Sequence, residues 1–295
     1  MNASDLSIPI RHRASPAPVA TQSSVSLVAG PFARRLGSLM TAIDAALLLT
    51  AGCVAGGMNA LAGGGSFITF PALLLAGLPS VAANASSTVA LVPGSMASVY
   101  AYTTGRYRLP FLDLGSVRLP LVLAVSAAGG LLGAVLLVST PLATFDRVIP
   151  WLLLFSTLTF AFGRRMGTWL RRRLRIGAAT LLPVQFLLGI YGGYFGGAVG
   201  IMMLAAWSLL DGADLKALNP TRTIVVAVTN AVAVGCFVIA GEVWWAQTLL
   251  VLAGALGGGY AGARIGQRLP VAVVRVTVIA ITVGMTIIFF RRAYR

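Results

Sequence analysis

The sequence predicts an all-α, polytopic membrane protein of about eight transmembrane segments, arranged as two four-helix repeats whose first helices are broken by glycine. Composition is the first reason: 58% of the 295 residues are hydrophobic and only 10% are charged, with a mean hydropathy of +0.90. A soluble domain of this length is not built this way, and apolar runs of about 20 residues are what a crossing of the hydrocarbon core needs. The second reason is a pair of breaks. Gly63-Gly64-Gly65-Ser66-Phe67 interrupts the first apolar segment, and Gly196-Gly197-Ala198-Val199-Gly200 interrupts the fifth. In lipid a backbone leaves the helix only where protein or a water-lined cavity satisfies its N–H and C=O groups, so two matched breaks point to a binding site.

Residues 1–42 are rich in Ser, Ala, Pro and Arg and lack the apolar core of a secretory signal. They are expected to form a disordered cytoplasmic tail. The apolar segments then run over 43–78 (broken), 81–104, 115–140, 147–163, 177–211 (broken), 217–240, 244–268 and 270–291. This divides the chain into a first transmembrane repeat at 43–163, a basic linker at 164–176 and a second repeat at 177–291. At 1.5 Å per residue the two broken segments exceed one straight crossing. Each is either a full helix followed by a re-entrant half-helix or two half-helices meeting in the membrane.

The formal net charge of +15 does not imply nucleic acid, because the basic residues sit mostly in short connections between apolar segments. Arg34 and Arg35, Arg106, Arg108 and Arg118, Arg164 to Arg175, and Arg291, Arg292 and Arg295 fall on one side of an eight-crossing scheme. Both termini are therefore expected in the cytoplasm. The connection carrying Arg264, Arg268 and Arg275 breaks that pattern. Cys53 and Cys236 have no metal-ligand spacing and read as small apolar residues.

Laying residues 56–94 on 191–229 without gaps pairs Gly57 with Gly192, Gly65 with Gly200, Gly77 with Gly212, Asn84 with Asn219 and Thr88 with Thr223. Gly129-Gly130-Leu131-Leu132-Gly133-Ala134 likewise answers Gly258-Gly259-Tyr260-Ala261-Gly262-Ala263. With four crossings between the copies, the halves are expected to share one orientation about an axis along the membrane normal.

These paired motifs, together with the Gly-Ala-Arg-Ile-Gly stretch at 262–266, resemble the sulfite exporter (TauE/SafE) family of anion transporters, also called toluene sulfonate uptake permeases. The resemblance covers roughly residues 43–290. It implies a multi-pass protein of the bacterial cytoplasmic (inner) membrane that moves a small sulfur-containing anion of the sulfite, sulfonate or sulfoacetate class. The second copy departs from the pattern with Ala206 where the first has Pro71, and with Val199 inside the break.

The residues themselves agree with an anion. Glycine lets backbone approach a ligand closely, and a half-helix beginning at the break adds its positive dipole end. The expected substrate-binding set is Gly63, Gly64, Gly65, Ser66, Asn84, Ser87 and Thr88 from the first repeat. Gly196, Gly197, Gly200, Asn219, Thr221, Arg222 and Thr223 complete it from the second. Arg222 is the most pointed, since an arginine within an apolar segment is a functional hypothesis by default and the first repeat has Ser87 there. Asn84 and Asn219 also suit helix N-caps, with Pro220 at N1. Asn59 and Asn230 either line the path or bridge helices. Asp44 is either an interfacial acid or a carrier of a coupling proton. Gly130, Gly133, Gly258, Gly259 and Gly262 suit close helix packing.

No enzyme is expected, because the apolar segments hold neither a histidine nor a paired acid. An anion channel and a carrier of a non-sulfur carboxylate are the alternatives to a secondary carrier. No cofactor or metal is expected; a coupling H+ or Na+ leaves no mark in the sequence. The expected partners are a small anionic substrate and the lipid bilayer, and the glycine-rich helix faces permit a homodimer.

Overall fold

The computed structural model describes residues 41–61, 64–104, 113–114, 117–171, 178–210, 218–265 and 271–294. Residues 1–40 of the expected tail, Gly63 and 172–176 of the basic linker lie outside them, while 164–171 of that linker are the last residues of a helix. The described residues from 41 onward belong to one compact unit. In chain order the helices are α1 (Ala42–Leu61), α2 (Ser66–Leu75), α3 (Ser80–Thr104), α4 (Leu119–Ser139) and α5 (Leu142–Arg171). The second half gives α6 (Ala178–Tyr194), α7 (Val199–Trp207), α8 (Asn219–Ile239), α9 (Trp245–Ile265) and α10 (Val271–Ala293). Every expected apolar segment is a helix, and both broken segments divide where the glycines lie. Among the described residues, four stretches are long and apolar enough to cross a bilayer: Ala42–Asn59, Leu119–Ser139, Leu142–Gly163 and Thr221–Ile239.

Local chemistry sets the ends. Thr41 and Asp44 form a capping box at the start of α1: Asp44 N donates to Thr41 Oγ1 at 3.1 Å and Thr41 N donates to Asp44 Oδ2 at 3.1 Å. Asp44 is thus spent on the helix terminus. The α4 start is held by Leu119 N donating to Asp113 Oδ1 at 2.7 Å. The first break turns at Gly64 (φ 99) and the second at Gly196 (φ 77), left-handed values that favour glycine.

Each break folds the chain back on itself. Gly65, at the start of α2, packs against Ala55 and Asn59 of α1, and Ile68 joins the cluster formed by Ala55, Leu91 and Ala255. In the second half Val199 packs on Gly192, and Trp207 Nε1 donates to Gln185 Oε1 at 3.0 Å. Each first segment is therefore a long helix followed by a returning half-length helix, the first of the two geometries the sequence left open.

The helix directions follow from which residues meet. Gly52 and Gly56 of α1 lie against the Val251 and Ala255 backbones of α9, while Gly254 and Gly258 lie against Leu49 and Cys53. The two helices run parallel with backbones in contact. Gly129 and Gly133 of α4 pair in the same way with Gly189, Ile190 and Tyr194 of α6, and Gly193 meets Gly130. Four small-xxx-small stripes thus seal two helix pairs, each drawing one helix from each half, and packing this close is what such stripes permit in lipid.

The last helices of the two halves, α5 and α10, run antiparallel. Near the start of α5, Trp151 Nε1 donates to Tyr294 OH at 2.8 Å, just past the end of α10; further along, Thr157 and Thr286 share a hydroxyl contact of 3.5 Å. Equivalent helices of halves sharing one orientation would run parallel, so the expected axis along the membrane normal is overturned. The halves are inverted. The reason is the fold-back: counting each broken segment as one crossing gave four per half, but a helix and its returning half-helix together bring the chain back to the side it started from, so the broken segment adds none and an odd three remain. The antiparallel course also places the end of α5, which leads into the Arg164–Arg175 cluster, at the opposite end of the bundle from Arg291. These clusters do not share a side, as the eight-crossing scheme had required.

Candidate functional site

The two half-helix starts meet at a cavity of about 90 Å³, where one water needs about 10–15 Å³ of such space. Its walls come from both breaks and from the middles of α3 and α8. Six pairs of lining residues stand 135 positions apart: Gly64 and Val199, Gly65 and Gly200, Ser66 and Ile201, Thr88 and Thr223, Leu91 and Val226, and Ser95 and Asn230. The internal repeat seen in the sequence is therefore the scaffold of this cavity.

Neither half-helix start carries a side-chain cap: Gly65 precedes α2 in a right-handed conformation, and Ala198 precedes α7 at φ 58. Ala198 is the single non-glycine with positive φ among the described residues. A left-handed alanine costs about 1–2 kcal/mol, a strain of the kind that gathers at functional sites. Two helix N-termini present their positive dipole ends to one space, which suits an anion. Arg222 adds a full charge at the same place. A Cβ built on Gly200 would stand 3.4 Å from Arg222 Cδ and 3.7 Å from Arg222 Nε, so the arginine stem lies across the start of α7.

Of the residues expected at the site, Gly64, Gly65, Ser66, Thr88, Gly196, Gly200, Arg222 and Thr223 line the cavity. Others are placed elsewhere. Asn84 is buried in α3 and donates from Nδ2 to the Tyr194 carbonyl at 3.0 Å, tying α3 to the end of α6. It is not an N-cap, because α3 begins at Ser80. Ser87 shares a 2.5 Å hydroxyl contact with Thr69. The Gly197 carbonyl accepts from Ser156 Oγ at 3.3 Å, and Ser156 also bonds to Tyr191 OH. Thr221 is fully buried outside the lining. The cap of α8 is Leu218, so Asn219 is the first helical residue and Pro220 the second. Gly63 lies outside the described residues.

Asn59 and Asn230 both line the cavity, and Ser95, Phe195 and Ala198 join them. Asn59 Nδ2 donates to Ser95 Oγ at 3.2 Å, which in turn donates to the Leu91 carbonyl at 3.2 Å. Ser95 was missed by one residue, since the self-alignment stopped at position 94. Extending it would have paired Ser95 with Asn230. Gly130, Gly133 and Gly258 each press against a neighbouring helix; Gly259 has room, its built Cβ standing 3.8 Å from the Gly56 carbonyl. Gly262 lies in a part of α9 whose side-chain surroundings are outside the described residues.

Apolar helices long enough to cross a bilayer, packed at glycine stripes around a cavity with polar groups in its walls, are the build of a helical integral membrane protein. Residues 48–289 match the family model "Sulfite exporter TauE/SafE". The chain belongs to that family of membrane transporters. It is 27% identical over 241 residues to a "Probable membrane transporter protein" of Haemophilus influenzae, covering 82% of this chain and 92% of the relative. It is 29% identical over 247 residues to "Probable membrane transporter protein ORF9" of Sinorhizobium sp, covering 82% and 90%. It is also 27% identical over 216 residues to "Probable membrane transporter protein YfcA" of Escherichia coli K12, covering 73% and 77%. No solved structure matches the chain significantly.

Proposed function

We propose that this protein is a secondary transporter that carries a small sulfur-containing anion, of the sulfite, sulfonate or sulfoacetate class, across the bacterial cytoplasmic membrane by alternating access. The observation that carries the reading is the convergence of two uncapped half-helix starts and Arg222 on one cavity. A sulfonate or sulfite presents three oxygens on one centre. Backbone N–H groups from two directions, the hydroxyl of Ser66 and one guanidinium match such a head, while the Thr88 hydroxyl donates to the Asn84 carbonyl at 3.0 Å.

Inverted halves supply a route to alternating access, because exchanging the conformations of the two halves turns an opening on one face into an opening on the other. The moving bodies are not the two repeats. Helices α1 and α9, and α4 and α6, are sealed backbone to backbone across the repeat boundary, so each pair moves as a unit. The returning half-helices α2 and α7 gate the cavity between them. No resident cofactor enters this scheme, and its partners are the anion, the bilayer and a coupling ion supplied by the medium.

Orientation follows from the inverted course. The connections after α3, α5 and α9 leave from one end of the bundle and carry Arg106, Arg108, Arg118, Arg164 to Arg175 and Arg268. The short connections at the other end, 76–79, 140–141 and 240–244, carry no Lys or Arg. The charge rule then puts the basic connections in the cytoplasm and the start of α1 and end of α10 outside. This reverses the side expected from sequence: the once discordant Arg268 connection now agrees with the other connections, while Arg34 and Arg35 before α1 and Arg291, Arg292 and Arg295 at the end of α10 now stand against the rule.

The test is thermal stability of the purified protein against sulfite, thiosulfate, taurine, sulfoacetate, isethionate, benzoate, acetate and chloride at constant ionic strength. A ligand at one hundred times its dissociation constant adds about 2.7 kcal/mol to the folded state. A selective shift with sulfur oxyanions is expected; a flat panel overturns the assignment.

A further inference from the structure

The cavity is symmetric in its scaffold but not in its chemistry, and the difference is concentrated on α8. Arg222, Val226 and Asn230 recur every four residues along one face of that helix, and all three line the cavity. Arg222 stands where the first half has Ser87, and Asn230 where it has Ser95. In the first half the polar group at this level is satisfied: Ser95 gives its proton to the Leu91 carbonyl and receives Asn59 Nδ2. In the second half the position equivalent to Asn59 is Tyr194, whose carbonyl is taken by Asn84 and whose hydroxyl reaches Thr140 at 3.4 Å. Asn230 receives nothing from it. Its Oδ1 is buried and has no hydrogen-bond partner among the described residues.

A buried acceptor without a donor costs about 1–3 kcal/mol, and native structures rarely leave one without a reason. Asn230 faces the same cavity as Arg222, at a level about 12 Å along α8 from it by helical rise. An acceptor there repels the oxyanion head and waits for a donor.

We propose that Asn230 is a specificity-determining residue, and that the substrate is a short sulfonate bearing a hydrogen-bond donor, a hydroxyl or an ammonium, on its tail. This rests on the sulfur-anion reading above and deepens it. The head lies at Arg222 and the two half-helix starts, and the tail donor completes Asn230 Oδ1. A substrate lacking the donor leaves that oxygen unpaired and is disfavoured, which is how a polar site rejects an analogue that is missing one group.

The experiment measures dissociation constants by concentration-dependent thermal shift for isethionate (hydroxyl), taurine (ammonium) and propane-1-sulfonate (no donor, nearly the same size). In the unaltered protein at least one donor-bearing sulfonate should bind ten or more times tighter than propane-1-sulfonate, and which one does so separates hydroxyl from ammonium. Asn230→Val should abolish the preference, weakening the donor-bearing sulfonates and binding propane-1-sulfonate at least as tightly as before, because the unpaired oxygen that disfavours it is gone. Asn230→Ser, which copies Ser95, should reduce it and guards against misfolding of the valine variant. Equal binding of all three by the unaltered protein overturns the proposal, as does an equal loss of all three in both variants, which would make Asn230 a contact for the head. If no sulfonate binds, the sulfur-anion reading itself fails, an outcome distinct from either of these.

Discussion

Trp207 at the end of α7 donates from its indole nitrogen to Gln185 Oε1 in α6 at 3.0 Å, and Gln185 Nε2 donates to Ser126 Oγ in α4 at 2.9 Å. All three side chains are buried. This relay latches the returning half-helix to the sealed α4 and α6 pair, so it sets where the start of α7 stands in the cavity. Gln185→Met keeps the volume but removes the acceptor, leaving a buried indole N–H unpaired. The expected loss is about 1–3 kcal/mol, read as a lower midpoint of thermal unfolding. Transport should fall with it, since the start of α7 loses its latch. Unchanged stability would show that the relay does not hold the half-helix.

Two adjacent glycines of α9 should respond differently to alanine. A Cβ on Gly258 runs into the Cys53 carbonyl, whereas nothing lies within 4 Å of a Cβ on Gly257. Gly258→Ala should force α1 and α9 apart and destabilise strongly. Gly257→Ala should be neutral or stabilise by up to about 1 kcal/mol through helix propensity. Comparing the unfolding midpoints of the two variants tests the sealed pair; equal effects would count against it.

Among the described residues lining the cavity, Arg222 alone carries a full charge. Arg222→Ala should weaken anion binding more than tenfold while the helical circular dichroism stays the same, and Arg222→Lys should recover part of the loss because charge is restored without the planar fork. Affinity unaltered by the alanine change would remove Arg222 from the binding set.

The inverted course predicts a topology. Alkaline phosphatase fused after Arg295 should be active, and green fluorescent protein inserted in the connection between α5 and α6 should fluoresce. The opposite pattern would reverse the proposed orientation, and signals placing both points on one side would contradict the antiparallel contact of Trp151 with Tyr294.

Much was legible in the sequence because hydropathy and glycine placement are local properties. The helices follow the expected apolar segments to within two residues beyond their ends, except that α5 starts five residues earlier and ends eight later (142 against 147, 171 against 163). There the polar ends, from Leu142 and through Arg171, continue the helix beyond the apolar run. The constant spacing between the breaks foretold which residues face one another, and Gly65, Gly200, Thr88 and Thr223 do meet at the cavity. Residues such as Asn84 and Ser87 carry the same chemistry in the same helix, yet they face Tyr194 and Thr69 instead. Which side of α3 looks inward depends on what packs against it, and that information is not in α3.

The sequence by itself determined that this chain lives in a bilayer, that it is built twice, and that each half breaks its first helix at glycine, because burial of apolar residues and backbone satisfaction in lipid act residue by residue. Only the tertiary structure decided that the broken ends fold back, that the halves are inverted, and that glycine stripes weld helices across the repeat boundary. Those outcomes depend on contacts such as Trp207 with Gln185 and Gly258 with Cys53, between residues far apart along the chain. Their free energy exists only once the helices are side by side.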